Sequence, residues 1–409
     1  PGFITAAADD DPSGVATYSI AGAQFGYKMT WLSLFLTPMM IAVQEMCARI
    51  GMCSGMGLAG VIKKFYSPKL LYSAVLLLIF SNLINISADL GMMAASLKMV
   101  LGLDFLFWLV AISVLVILME IFVPYRTYSY YLRFSGGILL VYIITALITK
   151  QDWLAVLSDT LIPKLEFNPA YLMTMVAFVG TTISPFLFFW QSDEEVEEEI
   201  VKGKIKDFNE KPHVSKKEIV FMQRDTTIGM SFSNLIAFFI VITAASTLHQ
   251  AGITDIETPQ QAALALKPLA GDFAFLLFAL GIVGIGLQAV PVLAGSMAYA
   301  FSETFGYKEG LGKKLSQAKS FYLVLALATG IGSLINLVGI NPIRALYFAA
   351  IVNGIISIPL IAIIISLADD PRVVGNFKTK LVYKIIAWIT LGFVGLASVF
   401  MLINLFKNW

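Results

Sequence analysis

Charge is scarce in this sequence. Only 13% of its 409 residues are Asp, Glu, Lys or Arg, against 58% hydrophobic residues and a mean hydropathy of +0.81. That balance excludes an ordinary soluble globular domain. The formal net charge of +1 points to no strongly charged partner, and nothing suggests nucleic acid. Cysteine is nearly absent. Cys47 and Cys53 stand six apart on one segment, which speaks against a disulfide framework or a structural zinc site. Histidine is as rare. His213 and His249 both fall in expected loops, so no spanning segment carries a group that titrates near neutral pH unperturbed. A signal peptide with a charged n-region is missing, and the chain opens on Pro1-Gly2 without Met, so residues ahead of it are expected.

What the chain has instead is apolar runs of about 20 residues, the length that crosses a bilayer. Eleven are read, over about 2–26, 29–52, 69–99, 104–123, 128–149, 169–192, 224–248, 271–302, 320–338, 343–367 and 380–406. The expected fold is an all-α polytopic membrane protein with eleven transmembrane helices. One transmembrane domain covers 1–409, with the lipid bilayer as its solvent. Eleven spans put alternate loops on alternate sides, and 21 of the 28 Lys and Arg residues then fall on one side. The positive-inside rule places the N-terminus in the cytoplasm.

Two of these spans are interrupted. Near the start, Ala8-Asp9-Asp10-Asp11-Pro12-Ser13-Gly14 sets three consecutive carboxylates against a Pro-Ser-Gly break. A carboxylate at bilayer depth costs about 2.5–3.5 kcal/mol on insertion scales, so it needs a partner or a wet cavity. Backbone freed by Pro or Gly survives only where it faces protein or a cavity. A broken helix carrying acids reads as a cation site. The sixth span breaks at Thr181-Thr182-Ile183-Ser184-Pro185. The two breaks are five spans apart and so lie in opposite orientations. Paired interruptions of this kind point to a transporter site built on inverted repeats. Spans 1–5 (about 1–150) and 6–10 (about 169–367) form the expected 5+5 inverted repeat with broken helices 1 and 6; one extra helix (about 380–406) follows. Unwound carbonyls attract a cation, whereas half-helix N-termini repel it. The ion is therefore expected beside the carbonyl ends around Ala8 and Thr181.

Other polar residues have plainer readings. The longest polar stretch, Asp193 to Arg224, begins with Asp193, Glu194, Glu195, Glu197, Glu198 and Glu199. Such a run is ordinarily a solvated loop; the sharper alternative is an acidic vestibule or cation sensor. Asp89 is either a relay group or a helix–helix hydrogen-bond partner. Glu45 and Glu120 lie near span ends, where they reach the interface. Asn353 reads first as an interhelical hydrogen-bond partner and second as a ligand.

The ordered set of motifs resembles the Nramp divalent-metal transporters from end to end. Pro1-Gly2-Phe3 followed by Asp11-Pro12-Ser13-Gly14 resembles the Asp-Pro-Gly-Asn motif that opens that family. Phe25-Gly26-Tyr27 and Gln44-Glu45-Met46-Cys47-Ala48-Arg49-Ile50-Gly51 resemble its second helix, Ser87-Ala88-Asp89-Leu90 part of its third, and Leu280 to Gly295 its eighth. Val179 to Pro185 sits where the family has its Met-Pro-His motif. The resemblance implies a transporter and not an enzyme, with no cofactor and the divalent metal ion as transported substrate. It implies a prokaryotic plasma-membrane location, and no obligate protein partner is evident.

The departures from the family pattern are specific. Asp11 matches the family's ligand Asp, and Thr181 the position whose carbonyl is used. Gly14 stands in place of the ligand Asn, Ser184 in place of the Met, and Phe186 in place of the His. Positions resembling the family's proton route read Asn82 and Met92, and span 9 carries no Arg. This resembles the Nramp-related magnesium branch, implied to carry Mg²⁺ and Mn²⁺ without proton coupling. Losing a thioether removes a preference for soft metals. Mg²⁺ binds oxygen at about 2.0–2.1 Å and sheds water reluctantly. The smaller Gly14 and Ser184 leave room for that water. The expected metal site is Asp11 with Ser184, Ala8, Thr181 and Gly14 around it, and Asp10, Ser13 and Asn353 as possible additions. A proton-coupled Mn²⁺/Fe²⁺ carrier of the same fold is the nearest rival. An amino-acid carrier and an intramembrane aspartyl hydrolase stand further off, the latter lacking an opposed aspartate pair with its Gly-x-Gly-Asp pattern.

Overall fold

The computed structural model describes residues 1–123 and 136–407. Among the described residues every regular element is helical and no strand occurs. α1 (Gly2–Asp9) and α2 (Pro12–Phe25) are the halves of the first broken helix, and a tight turn over Gly26–Met29 leads to α3 (Thr30–Ser54). The short α4 (Leu58–Phe65) precedes α5 (Pro68–Leu101) and α6 (Phe105–Phe122). α7 (Leu140–Ile148) and α8 (Trp153–Leu161) come before the second broken helix, α9 (Pro169–Thr182) and α10 (Pro185–Val201). α11 (Lys216–Ala244), α12 (Ala274–Phe305), α13 (Lys319–Ile335), α14 (Pro342–Leu367) and α15 (Leu381–Lys407) complete the chain.

Local chemistry sets these boundaries. Proline opens α2, α5, α9, α10 and α14, where a missing N–H costs nothing. The side chains of Ser67, Asp104, Asn168 and Asn341 accept backbone N–H groups at the starts of α5, α6, α9 and α14. At about 1.5 Å per residue the 34-residue α5 is longer than the roughly 30 Å hydrocarbon core, so it tilts or projects beyond it.

Nine helical runs among the described residues are long and apolar enough to cross a membrane. Eleven spans were expected from the sequence, and the difference has two sources. The run Pro12–Ser54 holds two expected spans joined by the Gly26–Met29 turn, while α1 alone is too short to count. Residues 124–135, which include Arg126, Arg133 and the first residues of the expected fifth span (128–149), lie outside the described residues. The other spans fall within a few residues of their expected positions, except that the sixth runs on to Val201 and the seventh begins at Lys216. Outward faces are apolar, with Leu76, Phe107, Leu118, Leu327, Phe348 and Trp388 exposed, as suits lipid contact.

Inside the bundle, α5 packs on α12 and α14, α9 on α14, and α11 on α1, α2 and α3. The α9–α14 crossing is backbone against backbone. A Cβ on Gly180 would stand 1.9 Å from the Ala350 carbonyl oxygen and 2.3 Å from the Gly354 nitrogen. This crossing sits one residue before Thr181.

The expected solvated loop over Asp193–Arg224 is corrected at both ends. Asp193 to Val201 continue α10, and Asp193, Glu194, Glu195 and Glu199 are buried. Lys216 to Arg224 already belong to α11, whose start is fixed by a reciprocal Ser215–Glu218 cap.

Candidate metal centre

Both breaks follow from one proline each. Pro12 has no N–H to offer the carbonyl of Ala8, four residues earlier, and Pro185 has none for Thr181. The two carbonyls singled out from the sequence are thus the ones each proline leaves without a helical donor. Ala8 and Thr181 are both buried, so water does not compensate from bulk. At the second break the Ser184 hydroxyl intervenes. It donates to the Gly180 carbonyl at 2.8 Å and to the Thr181 carbonyl at 3.0 Å.

The breaks face each other. Ser13 Oγ lies 3.1 Å from Thr181 Oγ1, and Tyr18 Oη 3.0 Å from Thr182 Oγ1. The rings of Tyr18 and Phe178 pack with centroids 4.7 Å apart. Asp11 caps α2 between them: its Oδ1 accepts from the Gly14 amide at 2.7 Å and from Ser13 Oγ at 2.8 Å. Both of these bonds fall on one oxygen. The expected room for water at Gly14 is not found: a Cβ there would already stand 3.3 Å from Tyr18 Cε2, 3.4 Å from the Asp9 carbonyl oxygen and 3.5 Å from Asp11 Oδ1, because Tyr18 packs over the break.

The three consecutive acids do not act alike. Asp9 Oδ2 and Asp10 Oδ1 both accept from Ser233 Oγ of α11, at 2.7 and 3.1 Å. Asp11 is held instead at the start of α2 and linked to the facing break through Ser13. Asn353 stands on α14, one residue before the Gly354 that abuts Gly180. Its amide is held by α5, where Asn85 Nδ2 donates to its Oδ1 at 3.0 Å and Ser81 Oγ bonds the same oxygen. Asp11, Ser13, Gly14, Thr181 and Ser184 are therefore brought together, Asp10 is shared with α11, and Asn353 is engaged on α5.

Asp89 belongs with the first group, which its sequence context left open. It is fully buried on α5 and electrostatically close to Asp11. The Ser13 amide approaches it, yet neither carboxylate oxygen makes a hydrogen bond of sound geometry. Gln44 on α3 is likewise buried with both amide atoms unpartnered. Ser233 was not singled out at all; a lone serine in an apolar helix carries no signal until the fold places it under two aspartates. Among the described residues no three His, Cys, Asp or Glu side chains converge tightly enough to cage a metal by themselves. A cation here takes further oxygen from carbonyls, hydroxyls or water.

Comparison with known proteins gives a consistent result. The Nramp family, described as natural resistance-associated macrophage protein-like, matches residues 2–404. A divalent metal cation transporter MntH from Pectobacterium carotovorum is 25% identical over 361 residues, 86% of this chain and 81% of that protein. The MntH of a Nostoc species is 24% identical over 403 residues, 95% and 86% of the two chains. Among solved structures, a manganese transporter of Eremococcus coleocola superposes with a TM-score of 0.74 at 16% identity, covering 99% of this chain and 85% of that one. Mhp1, a nucleobase-cation-symport-1 family transporter, superposes with a TM-score of 0.63 at 11% identity, covering 98% and 90%.

Proposed function

The chain belongs to the Nramp family, and from that premise we propose that it carries Mg²⁺, and also Mn²⁺, into the cytoplasm by alternating access, with the ion partly hydrated and without proton coupling. That it is an integral membrane transporter of divalent metal ions, and not an enzyme, follows from the family and its relatives. The choice of Mg²⁺ rests on one observation: the meeting point of the two breaks offers only oxygen. Asp11, the Ala8 and Thr181 carbonyls, Ser13, Thr181 Oγ1 and Ser184 gather at the two breaks, and Gly14 adds no side chain among them. Oxygen donors without sulfur suit a hard ion. Asp89 supplies a second carboxylate acting through water, and its unpartnered oxygens favour that role over a helix–helix bond.

In this reading Asp11 is the direct ligand. Ala8, Thr181 and Ser184 contribute further oxygen, water completes the shell, Gly14 adds no side chain to it, and Asp10 steers the approach. Asn353 helps through the α5–α14 contact. The chain is one transmembrane domain of eleven spans. Its repeats cover about 1–150 and 169–367, with one helix beyond them and the N-terminus in the cytoplasm of a prokaryotic plasma membrane. Proton coupling is not needed on energetic grounds. A divalent ion gains about 4.6 kcal/mol from 100 mV at ~2.3 kcal/mol per charge. That is worth over three decades of concentration ratio at ~1.4 kcal/mol each.

A proton-coupled Mn²⁺ carrier is the second reading, favoured by the manganese transporters among its relatives in fold and by the buried Asp89. The deciding experiment is Mg²⁺ and Mn²⁺ uptake into proteoliposomes by the wild type and Asp11→Ala. We expect wild-type uptake of both ions and loss of both in the variant. Wild-type rates in Asp11→Ala would overturn the ligand assignment, and wild-type exclusion of Mg²⁺ would favour the second reading.

A further inference from the structure

Asp9 and Asp10 meet on one side chain, Ser233 of α11. All three residues are buried. The two carboxylates stand where α1 ends, and the negative end of a helix dipole disfavours further negative charge. The charged groups that act on Asp9 are Asp10 and Asp11, again acids. A serine hydroxyl has a single hydrogen to donate. Here it faces Asp9 Oδ2 at 2.7 Å and Asp10 Oδ1 at 3.1 Å, while Asp9 Oδ1 has no hydrogen-bond partner. Two buried carboxylates are thus restrained by one neutral hydroxyl.

That hydroxyl is itself fixed relative to α1, because α1 lies along α11 from Gly2 to its end. Thr226, Gly229 and Ser233 follow one another at spacings of three and four, so they share one face of α11. Backbone meets backbone at the first two. A Cβ on Gly2 would stand 2.7 Å from Thr226 Cα, and one on Gly229 would stand 2.8 Å from the Gly2 carbonyl oxygen and 3.0 Å from Phe3 Cα. The Gly2 amide donates to Asp225 Oδ2 at 2.7 Å, and the rings of Phe3 and Phe232 stack with centroids 6.4 Å apart. α11 therefore fixes where α1 ends, and Ser233 fixes where the two acids point. Once released they would start beside the metal centre: the Asp9 carbonyl oxygen lies 3.4 Å from the point where a Gly14 Cβ would stand, and Asp11 Oδ1 3.5 Å from the same point.

We propose that Ser233 is a positioning residue that sets the choice of ion: it holds Asp9 and Asp10 against α11, so that Asp11 is the carboxylate that binds directly and Ca²⁺ is disfavoured. The inference rests on the reading of Asp11 as the direct ligand and adds a reason for its being alone. The number of carboxylates separates the two ions. Mg²⁺ keeps several waters and binds through one or two carboxylates, whereas Ca²⁺ takes about six to eight oxygens in flexible and often bidentate arrangements. Freeing Asp9 and Asp10 would supply the oxygens that Ca²⁺ requires.

The test follows Mn²⁺ bound to the full chain in nanodiscs by electron paramagnetic resonance, with Ca²⁺ added as competitor. Ser233→Ala removes the hydroxyl without adding bulk. It should bind Mn²⁺ at least as tightly as the wild type. Ca²⁺ should displace that Mn²⁺ at a concentration at least about tenfold lower, since Ca²⁺ affinity rises with the number of ligand charges. In Asp9→Asn/Ser233→Ala one of the released acids is neutral, and the gain for Ca²⁺ should shrink. A packing role for Ser233 would not be reversed by that second change. Wild-type displacement by Ca²⁺ in Ser233→Ala, loss of its Mn²⁺ binding, or a double variant as sensitive to Ca²⁺ as the single one would overturn the proposal. Mn²⁺ binding by Asp11→Ala equal to the wild type would contradict the metal centre itself, and Ser233 with it, by a result separate from the other three.

Discussion

Ser184 carries two effects at once. Its hydroxyl occupies the Gly180 and Thr181 carbonyls, and its short side chain keeps sulfur out of the centre. Ser184→Met would free the Thr181 carbonyl and add a soft thioether, so preference should move toward softer ions. We expect Cd²⁺ to inhibit Mn²⁺ uptake by the variant at least about tenfold more strongly than in the wild type, for a gain of roughly 1.4 kcal/mol. Equal inhibition in competition assays would refute the account of softness. At this scale the sequence pointed to Asp11 because an acid in an apolar run needs a reason, and to Ala8 and Thr181 because unwound carbonyls at a helix break attract a cation; the structure brings the two breaks together, and whether a metal sits there is the proposal. What the sequence could not divide was the Asp9-Asp10-Asp11 triplet. Three adjacent acids point in different directions around a helix end, and only the position of Ser233 shows that two of them turn to α11.

Among the elements, the two broken helices depend on close crossings with unbroken ones. Gly180 has no space for even a methyl group, and the atoms in the way are backbone atoms of α14. Gly180→Ala must push α9 and α14 apart, at a cost of about 1–3 kcal/mol. The detergent-solubilised variant should unfold at a lower temperature than the wild type, and uptake should fall with it because Thr181 is the next residue. An unchanged midpoint would show that α14 yields easily and that the crossing does not set the site. Helices were legible in the sequence from long apolar runs and from the prolines and capping residues that open them. The acidic run after Ser192 was not. Its composition matches a solvated loop, yet Asp193 to Glu199 extend α10 into the protein, because helix continuity and packing against α3, α4 and α12 outweigh local polarity. A similar case is His249, expected in a loop but held in a helical turn by the Ala23 carbonyl at 2.7 Å.

For the whole molecule, the account needs a driving force. With no described histidine at the metal centre and potential alone worth over three decades of gradient, an inside-negative voltage should suffice. Proteoliposomes given a potassium-diffusion potential should accumulate Mg²⁺ with no acidification of an internal pH dye. Acidification in step with uptake would restore the proton-coupled reading and give Asp89 a role in it. The all-helical, membrane-spanning character was within reach of the sequence, since apolar runs of spanning length recur along it. The account as a whole stands on the ion's position between the breaks. Anomalous scattering from Mn²⁺ bound to the full-length chain tests it most directly. A single strong peak is predicted beside Asp11 and the Thr181 carbonyl, with water completing its shell, and that peak should vanish in Asp11→Ala. Mn²⁺ found elsewhere along the bundle with this gap empty, or a peak there that survives the loss of Asp11, would contradict the account.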